Sequence, residues 1–266
     1  METEQVLLVF GGLLLALGIM FLFLKRSAEK KLDTVRSTKT VTAKELNNMV
    51  AAGSPGQMVQ VNGTIESDTP LTGQLSQEKC VYCRTSVHRD YEETYRQQDS
   101  EGRDMPATRR GSERINHAEN HTHFYVIDET GKVRVNPQNA EIDLTKTVDK
   151  FEPANALQFT GNSLHWGNFS FNINKQDRNT RGRTTIGYRF TEEIMPLNQQ
   201  VTVLGEAASG PQEVTISKPG KGTFIISTKS REGLTSSMEG NIRYMKIGAA
   251  LSLVIGAALL MAGLLS

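Results

Sequence analysis

The sequence predicts a mainly β, antiparallel domain held between two transmembrane α-helices. Three observations predict it. Val6 to Leu24 and Ile247 to Ser266 carry no charged residue, and about 20 apolar residues at 1.5 Å rise cross a bilayer core. Between them lie short runs rich in β-branched and aromatic residues, spaced like the strands of an antiparallel sheet, sandwich or barrel. Finally, Phe124 to Pro137 reads as two strands around an Asp128–Gly131 turn, with Asp and Gly where a type I turn favours them. Asp128, Gly131 and Pro137 are the fold-defining residues of this hairpin. An OB-like, partly closed barrel is the expected form, and an open sandwich is the alternative.

The expected order is a first span over 5–24, a basic juxtamembrane linker over 25–41 and a β-rich domain over 42–229. An amphipathic connecting helix over 230–246 and a second span over 247–266 complete it. A cleaved signal peptide would want basic residues ahead of the first apolar run. Here Glu2 and Glu4 precede it and Lys25-Arg26 follow it, so the run reads as an anchor. Lys25, Arg26, Lys30, Lys31 and Arg36 after the first span, and Arg243 and Lys246 before the second, place the central domain in the cytoplasm and both termini outside. Gly248, Ser252 and Gly256 recur every four residues and set small side chains on one helical face, which lets another helix approach closely. Gly12 and Ala16 offer a weaker counterpart on the first span, so the spans can pair, within one chain or in a homo-oligomer.

Within the domain, Thr42-Ala-Lys-Glu45 is a capping box, and Leu46, Met49 and Val50 share the face of the short helix it starts. Met58 to Ile65 alternates like a strand, and a longer strand is expected over Cys80 to Tyr91. From about Gln97 to Asn120 the residues are polar and charged without apolar periodicity, which predicts a mobile loop. Further strands are expected at Ala156–Thr160, Phe169–Ile173, Gly187–Thr191, Gln200–Gly205, Val214–Ser217 and Thr223–Ser227, with a basic, Asn-rich loop from Asn174 to Thr185. Leu234, Met238, Ile242 and Met245 mark a helical stripe leading into the second span.

Chemistry is written less plainly. The net charge of +1 gives no reason to expect a nucleic acid as partner. Cys80 and Cys83 are the only cysteines, too few for a disulfide scaffold. They have the spacing of a redox dithiol or half a zinc site, but in a strand that spacing points them to opposite faces. His117, His121 and His123 form one loose cluster that would need Cys83 or His88 to hold a transition metal. Neither cofactor nor catalytic residue is expected, since no nucleophile sits with a base and no Gly-rich loop opens a helix. Arg178, Arg181 and Arg183 are the interaction candidates, as cations that could meet phosphate or anionic lipid.

Several blocks together carry a resemblance. They are Gly63-Thr64 with Pro70-Leu71, Cys80-Val-Tyr-Cys-Arg84, Phe124 to Pro137, Gly187 to Pro196, Val201 to Glu206 and Phe224 to Ser230. In order and spacing, from about residue 40 onward, the chain resembles the Mulan/GIDE family, in which two spans enclose a beside-a-membrane domain. Eukaryotic members are ubiquitin ligases because a zinc-binding RING follows the second span. No Cys/His set for a RING is found up to Ser266, so the resemblance implies a prokaryotic-type member of a plasma membrane. The expected function is binding, as an adaptor or sensor that engages a membrane or cytoplasmic protein. The alternatives are a ligase component supplied with a RING in trans, or a metal- or thiol-dependent membrane enzyme.

Overall fold

The helices are α1 (Thr3–Ser37), α2 (Ala43–Ala51) and α3 (Arg231–Leu265). The computed structural model describes residues 3–52, 56–173, 182–209 and 213–265. At 35 residues each, α1 and α3 run about 52 Å, well beyond the roughly 30 Å of a hydrocarbon core. Both are long and apolar enough to span a membrane. The segment expected to be a linker after Leu24 instead continues α1 as helix to Ser37.

Two compact units divide the chain. One comprises Met1–Asn62 with Val201–Ser266, and the other is Gly63–Gln200. In the first unit α1 and α3 pack along their length through small residues. Gly248, Ser252 and Gly256 lie on the α3 face that meets α1, so this face is occupied within the chain. A Cβ on Gly256 would stand 3.0 Å from the Gly11 carbonyl oxygen and the Leu15 nitrogen. On α1 the close approaches fall at Gly11 and Gly18, not at the expected Gly12 and Ala16. A Cβ on Gly12 would meet nothing within 4 Å, and Ala16 is exposed. Gly11 and Gly18 are seven residues apart, two helical turns, and so share one stripe.

The capping box forms as the sequence predicts. Glu45 N donates to Thr42 Oγ1 at 3.3 Å, Thr42 N donates to Glu45 Oε2 at 3.0 Å, and Ala43, Leu46 and Val50 are buried. The strand β1 (Gln57–Glu66) starts in this unit, where Val41 N donates to Gln60 O at 2.9 Å. The Gln60 side chain is fully buried, and among the described residues neither polar atom of its amide has a hydrogen-bond partner.

The second unit holds most of the remaining strands. β3 (Lys79–Gln98) is its spine. One edge of β3 pairs with β12 (Arg183–Pro196), which pairs in turn with β8 (Thr145–Pro153). The other edge pairs with β2 (Leu71–Thr72) and then with β4 (Asp104–His121). The polar stretch expected to be a mobile loop is therefore largely an 18-residue strand paired with β3, and beyond Glu93, where β12 ends, the two run on as a two-stranded arm. Its first part, Asp104–Arg110, is mostly exposed and needs no apolar alternation, and the inward positions that follow are Gly111, Glu113 and Ile115 rather than an apolar series, which is why no periodicity announces it.

β5 (Phe124–Asp128) and β6 (Gly131–Val135) form the expected hairpin. Asp128 Oδ1 accepts from Thr130 N at 2.7 Å and Gly131 N at 3.1 Å, which ties the turn; Gly131 takes φ 153° and Pro137 is buried. After β7 (Glu141–Ile142), β8 and one 3-10 turn at Ala154–Ala156 comes a meander of β9 (Gln158–Thr160), β10 (Ser163–Trp166) and β11 (Phe169–Asn172). Its two-residue turns start at Gly161 (φ +58°) and Gly167 (φ +56°), as a II′ hairpin requires. The meander contributes Leu164 and Phe171 to a core with Val87, Tyr188 and Phe190, and Trp166 stacks on Phe190 at 4.5 Å.

The first unit is completed by β13 (Gln200–Ser209), paired with β14 (Val214–Ser217) and β15 (Ile225–Ser227). Val35 of α1 and Leu234 of α3 pack with Leu204 and Ile225, with Met58 and Met238 beside them. Both long helices are thus rooted in a β core as well as in each other.

Candidate functional site

A buried cluster of two thiols and a carboxylate is the site with the most chemistry. Cys80 and Cys83 both lie on β3. Regular alternation would send them to opposite faces, but the ladder slips: Met195 faces Tyr82 and Pro196 faces Cys80, so Val81 is an extra residue without its own partner on β12. The bulge brings both sulfurs to one side. The expectation of opposed cysteines is overturned, and the pair joins Ile194 and Leu71 in a small core.

Cys80 donates its S–H to Cys83, and that bond drives the two titrations apart. Cys80 is held far above the ordinary thiol range, by this bond and by burial. Cys83 is drawn down to about 7, chiefly by the Cys80 hydrogen bond, with Thr85 at 3.7 Å assisting against the pull of burial. Cys83 Sγ in turn approaches Glu192 Oε1 at 3.6 Å.

Glu192 is fully buried on β12. Burial alone would push its carboxyl up. Hydrogen bonds from the Ser76 side chain, the Leu75 and Ser76 peptides and Cys83 outweigh burial and hold it below the usual range. Leu75 N donates to Oε1 at 2.8 Å and Ser76 N to Oε2 at 2.9 Å, so a buried anion pins the loop between β2 and β3. Thr85 and Thr147 hydroxyls approach the same carboxylate, each at 3.5 Å. A Cβ on Gly73 would stand 2.7 Å from Glu192 Oε2, so only glycine lets the loop come this close. Chemically this is a proton-sharing dithiol against a fixed charge.

The histidines do not converge. His117 Nδ1 shares a 3.0 Å hydrogen bond with Ser86 Oγ, while His121 stacks on Tyr82 at 5.9 Å. His123 lies beyond the end of β4, and Cys83 is buried in the thiol cluster. His117 and His123 are both lowered, first by burial and then by neighbouring cations. Among the described residues no three His, Cys, Asp or Glu side chains gather as a metal site requires. Arg183, one of the interaction candidates, is engaged within the fold. Its guanidinium meets Glu93 at 3.1 Å and Glu113 at 3.3 Å and lies over the Tyr91 ring at 4.5 Å. Arg178 and Arg181 lie outside the described residues.

The second notable feature is the arm. β4 pairs with β3 over its full length, and among the described residues it has no other strand partner. Arg109–Glu93 at 2.7 Å, Arg110–Glu92 at 3.5 Å and Arg103–Asp99 at 3.0 Å run along it, and Met105 is 54% exposed. Ion pairs along an open edge are one way a sheet avoids indiscriminate pairing.

Two helices long and apolar enough to span a membrane enclose a mainly β region, an arrangement consistent with membrane association. The comparisons narrow it. The GIDE family model, described as E3 ubiquitin ligase, matches residues 92–262, and the chain belongs to that family. It is 24% identical over 249 residues to the E3 ubiquitin-protein ligase SPL1 of Arabidopsis thaliana, a match that takes in 91% of this chain and 67% of that protein. No solved structure matches the chain.

Proposed function

We propose that this chain is a membrane-anchored adaptor or sensor that engages another protein through the β3–β4 arm. The observation that carries the reading is the open edge of β4. It offers 18 residues of backbone with no partner on one side, among the described residues, on an arm rich in paired charges. Such an edge suits addition of a strand from a partner. The basic residues flanking the spans support an orientation with the central region in the cytoplasm and both termini outside.

The test replaces residues 97–107 with a short turn and compares it with the full chain in native membranes, each carrying a photo-crosslinker at Ser112 on β4. The full chain should give one discrete protein adduct that is lost in the shortened form, while both remain membrane-bound. An adduct that survives shortening would sink the reading. The likeness to SPL1 supports a second reading, a component of ubiquitin transfer. On that reading, reconstitution of this chain with a RING-bearing protein would show ubiquitin transfer that depends on this one.

A further inference from the structure

Just beyond the apolar runs, α1 and α3 enclose a cleft of about 580 Å³. Its floor is apolar, with Leu32 and Ile242 each nearly buried. Six charged side chains line its walls, three of each sign. Arg36 pairs with Glu239, and Glu29 pairs more closely with Lys25 at 3.4 Å, which leaves Lys246 a long 3.9 Å contact with the same oxygen. The remaining two are Asp33 on α1 and Arg243 on α3. They are opposite in sign, face the same cleft from opposite helices, and make no ion pair or hydrogen bond among the described residues. Rigid helices hold apart two charges that would otherwise meet. A molecule carrying both signs fits between them.

Position selects the molecule. Lys246 adjoins Ile247, where the apolar run begins, and Arg243 stands one turn further out, about 6 Å from the hydrocarbon boundary. That is the level of lipid phosphates. Asp33 lies nine residues beyond Leu24 on α1, about 13 Å out. Tyr244, 77% exposed beside Arg243, is the kind of aromatic that settles at a membrane–water boundary. A phosphate near Arg243 and Lys246 with a cation reaching outward to Asp33 describes a zwitterionic headgroup. The lining holds no aromatic ring, so a quaternary ammonium would find no cage. A primary ammonium can donate hydrogen bonds to the Asp33 carboxylate.

We propose that this cleft binds a phosphatidylethanolamine headgroup, the phosphate on Arg243 and Lys246 and the ammonium on Asp33. The proposal rests on the reading of α1 and α3 as membrane spans. The test purifies the full chain in mild detergent, offers equimolar phosphatidylethanolamine, phosphatidylcholine and phosphatidylglycerol of distinct masses, and counts retained lipid by native mass spectrometry. Phosphatidylethanolamine should dominate, and Arg243→Gln or Asp33→Asn should each reduce it about fivefold, the worth of a part-exposed ion pair. Lys30→Gln, a cation on α1 that does not line the cleft, should leave retention unchanged. Equal retention of the three lipids, dominance of phosphatidylglycerol, or indifference to both cleft substitutions would overturn the proposal. Carbonate extraction of the same membranes keeps the two readings separate. A chain that resists extraction but shows no lipid preference defeats the headgroup site alone, whereas a chain released by carbonate defeats the spans themselves.

Discussion

Replacing Glu192 with Gln should destabilise the second unit by about 2–4 kcal/mol, and the size follows from its two shortest contacts. Leu75 N and Ser76 N donate to different oxygens of one buried carboxylate, at 2.8 and 2.9 Å. Hydrogen bonds to a charged acceptor are worth about 1.5–3 kcal/mol each, and a buried N–H left without a partner costs about 1–3 kcal/mol. A glutamine keeps the shape but turns one oxygen into a donor, so one peptide N–H faces another N–H and the other bond becomes neutral. The corresponding fall in Tm is about 5–15 °C for a region of this size. The assay is thermal unfolding of the full chain in detergent as a function of pH. The sign follows from the depressed carboxyl. Its stabilisation is complete above the unfolded value of about 4.3 and is lost as pH falls through the folded one. The gap between wild type and Gln should therefore be widest near neutrality and close in acid. A gap below about 0.5 kcal/mol at pH 7, within ordinary surface-substitution scatter, or one that stays constant into acid, would refute the reasoning.

Three further outcomes are expected. Cys80→Ala removes the proton donor that draws Cys83 down to about 7, so the pH midpoint for modification of Cys83 by a small alkylating reagent should move up; an unmoved midpoint would mean the bond is not the cause. Gly256→Val places a side chain where a Cβ already stands 3.0 Å from the α1 backbone. It should part the helices by about 1–2 Å, since interaxial distance follows the side chains at the contact, and spin-label distances between α1 and α3 would show it. Gln60→Leu exchanges a fully buried amide, without a hydrogen-bond partner among the described residues, for hydrocarbon of similar size. It should raise stability by about 1–2 kcal/mol, measured by the same unfolding assay.

The residues whose local physics is unambiguous were legible in the sequence. Thr42 and Glu45 announced a helix start, and Asp128 with Gly131 announced a turn, because each is satisfied by neighbours a few positions away. The apolar ends were legible because a bilayer demands length and little else. The arm was not, since Arg109, Arg110 and Glu113 on β4 pair with residues on β3 or β12 rather than burying an apolar face. The thiol site depended on a bulge at Val81, which exists only because β12 slips against β3. One signal for it was present. Phe190, Glu192 and Ile194 are in phase on a strand and all are fully buried, so an acid stood at a core position and needed a partner. Arg89, in phase with Val87, is 1% exposed and posed the same question; Glu113 answers it at 2.5 Å.

The first unit is assembled from the two ends of the chain, and this sets a schedule for its synthesis. Val35 and Leu234 share one core, yet about 200 residues separate them. At about 5–20 residues per second the ribosome needs roughly 10–40 s to make that distance. Through that interval α1 is made, with a membrane to enter but no α3 to pair with, and Gly11 and Gly18 remain uncovered. The contiguous Gly63–Gln200 segment is made in full before Leu234 is. Closure of the helix pair thus waits for α3, and a chain arrested before Leu234 would present an unpaired small-residue stripe to any other helix in the bilayer.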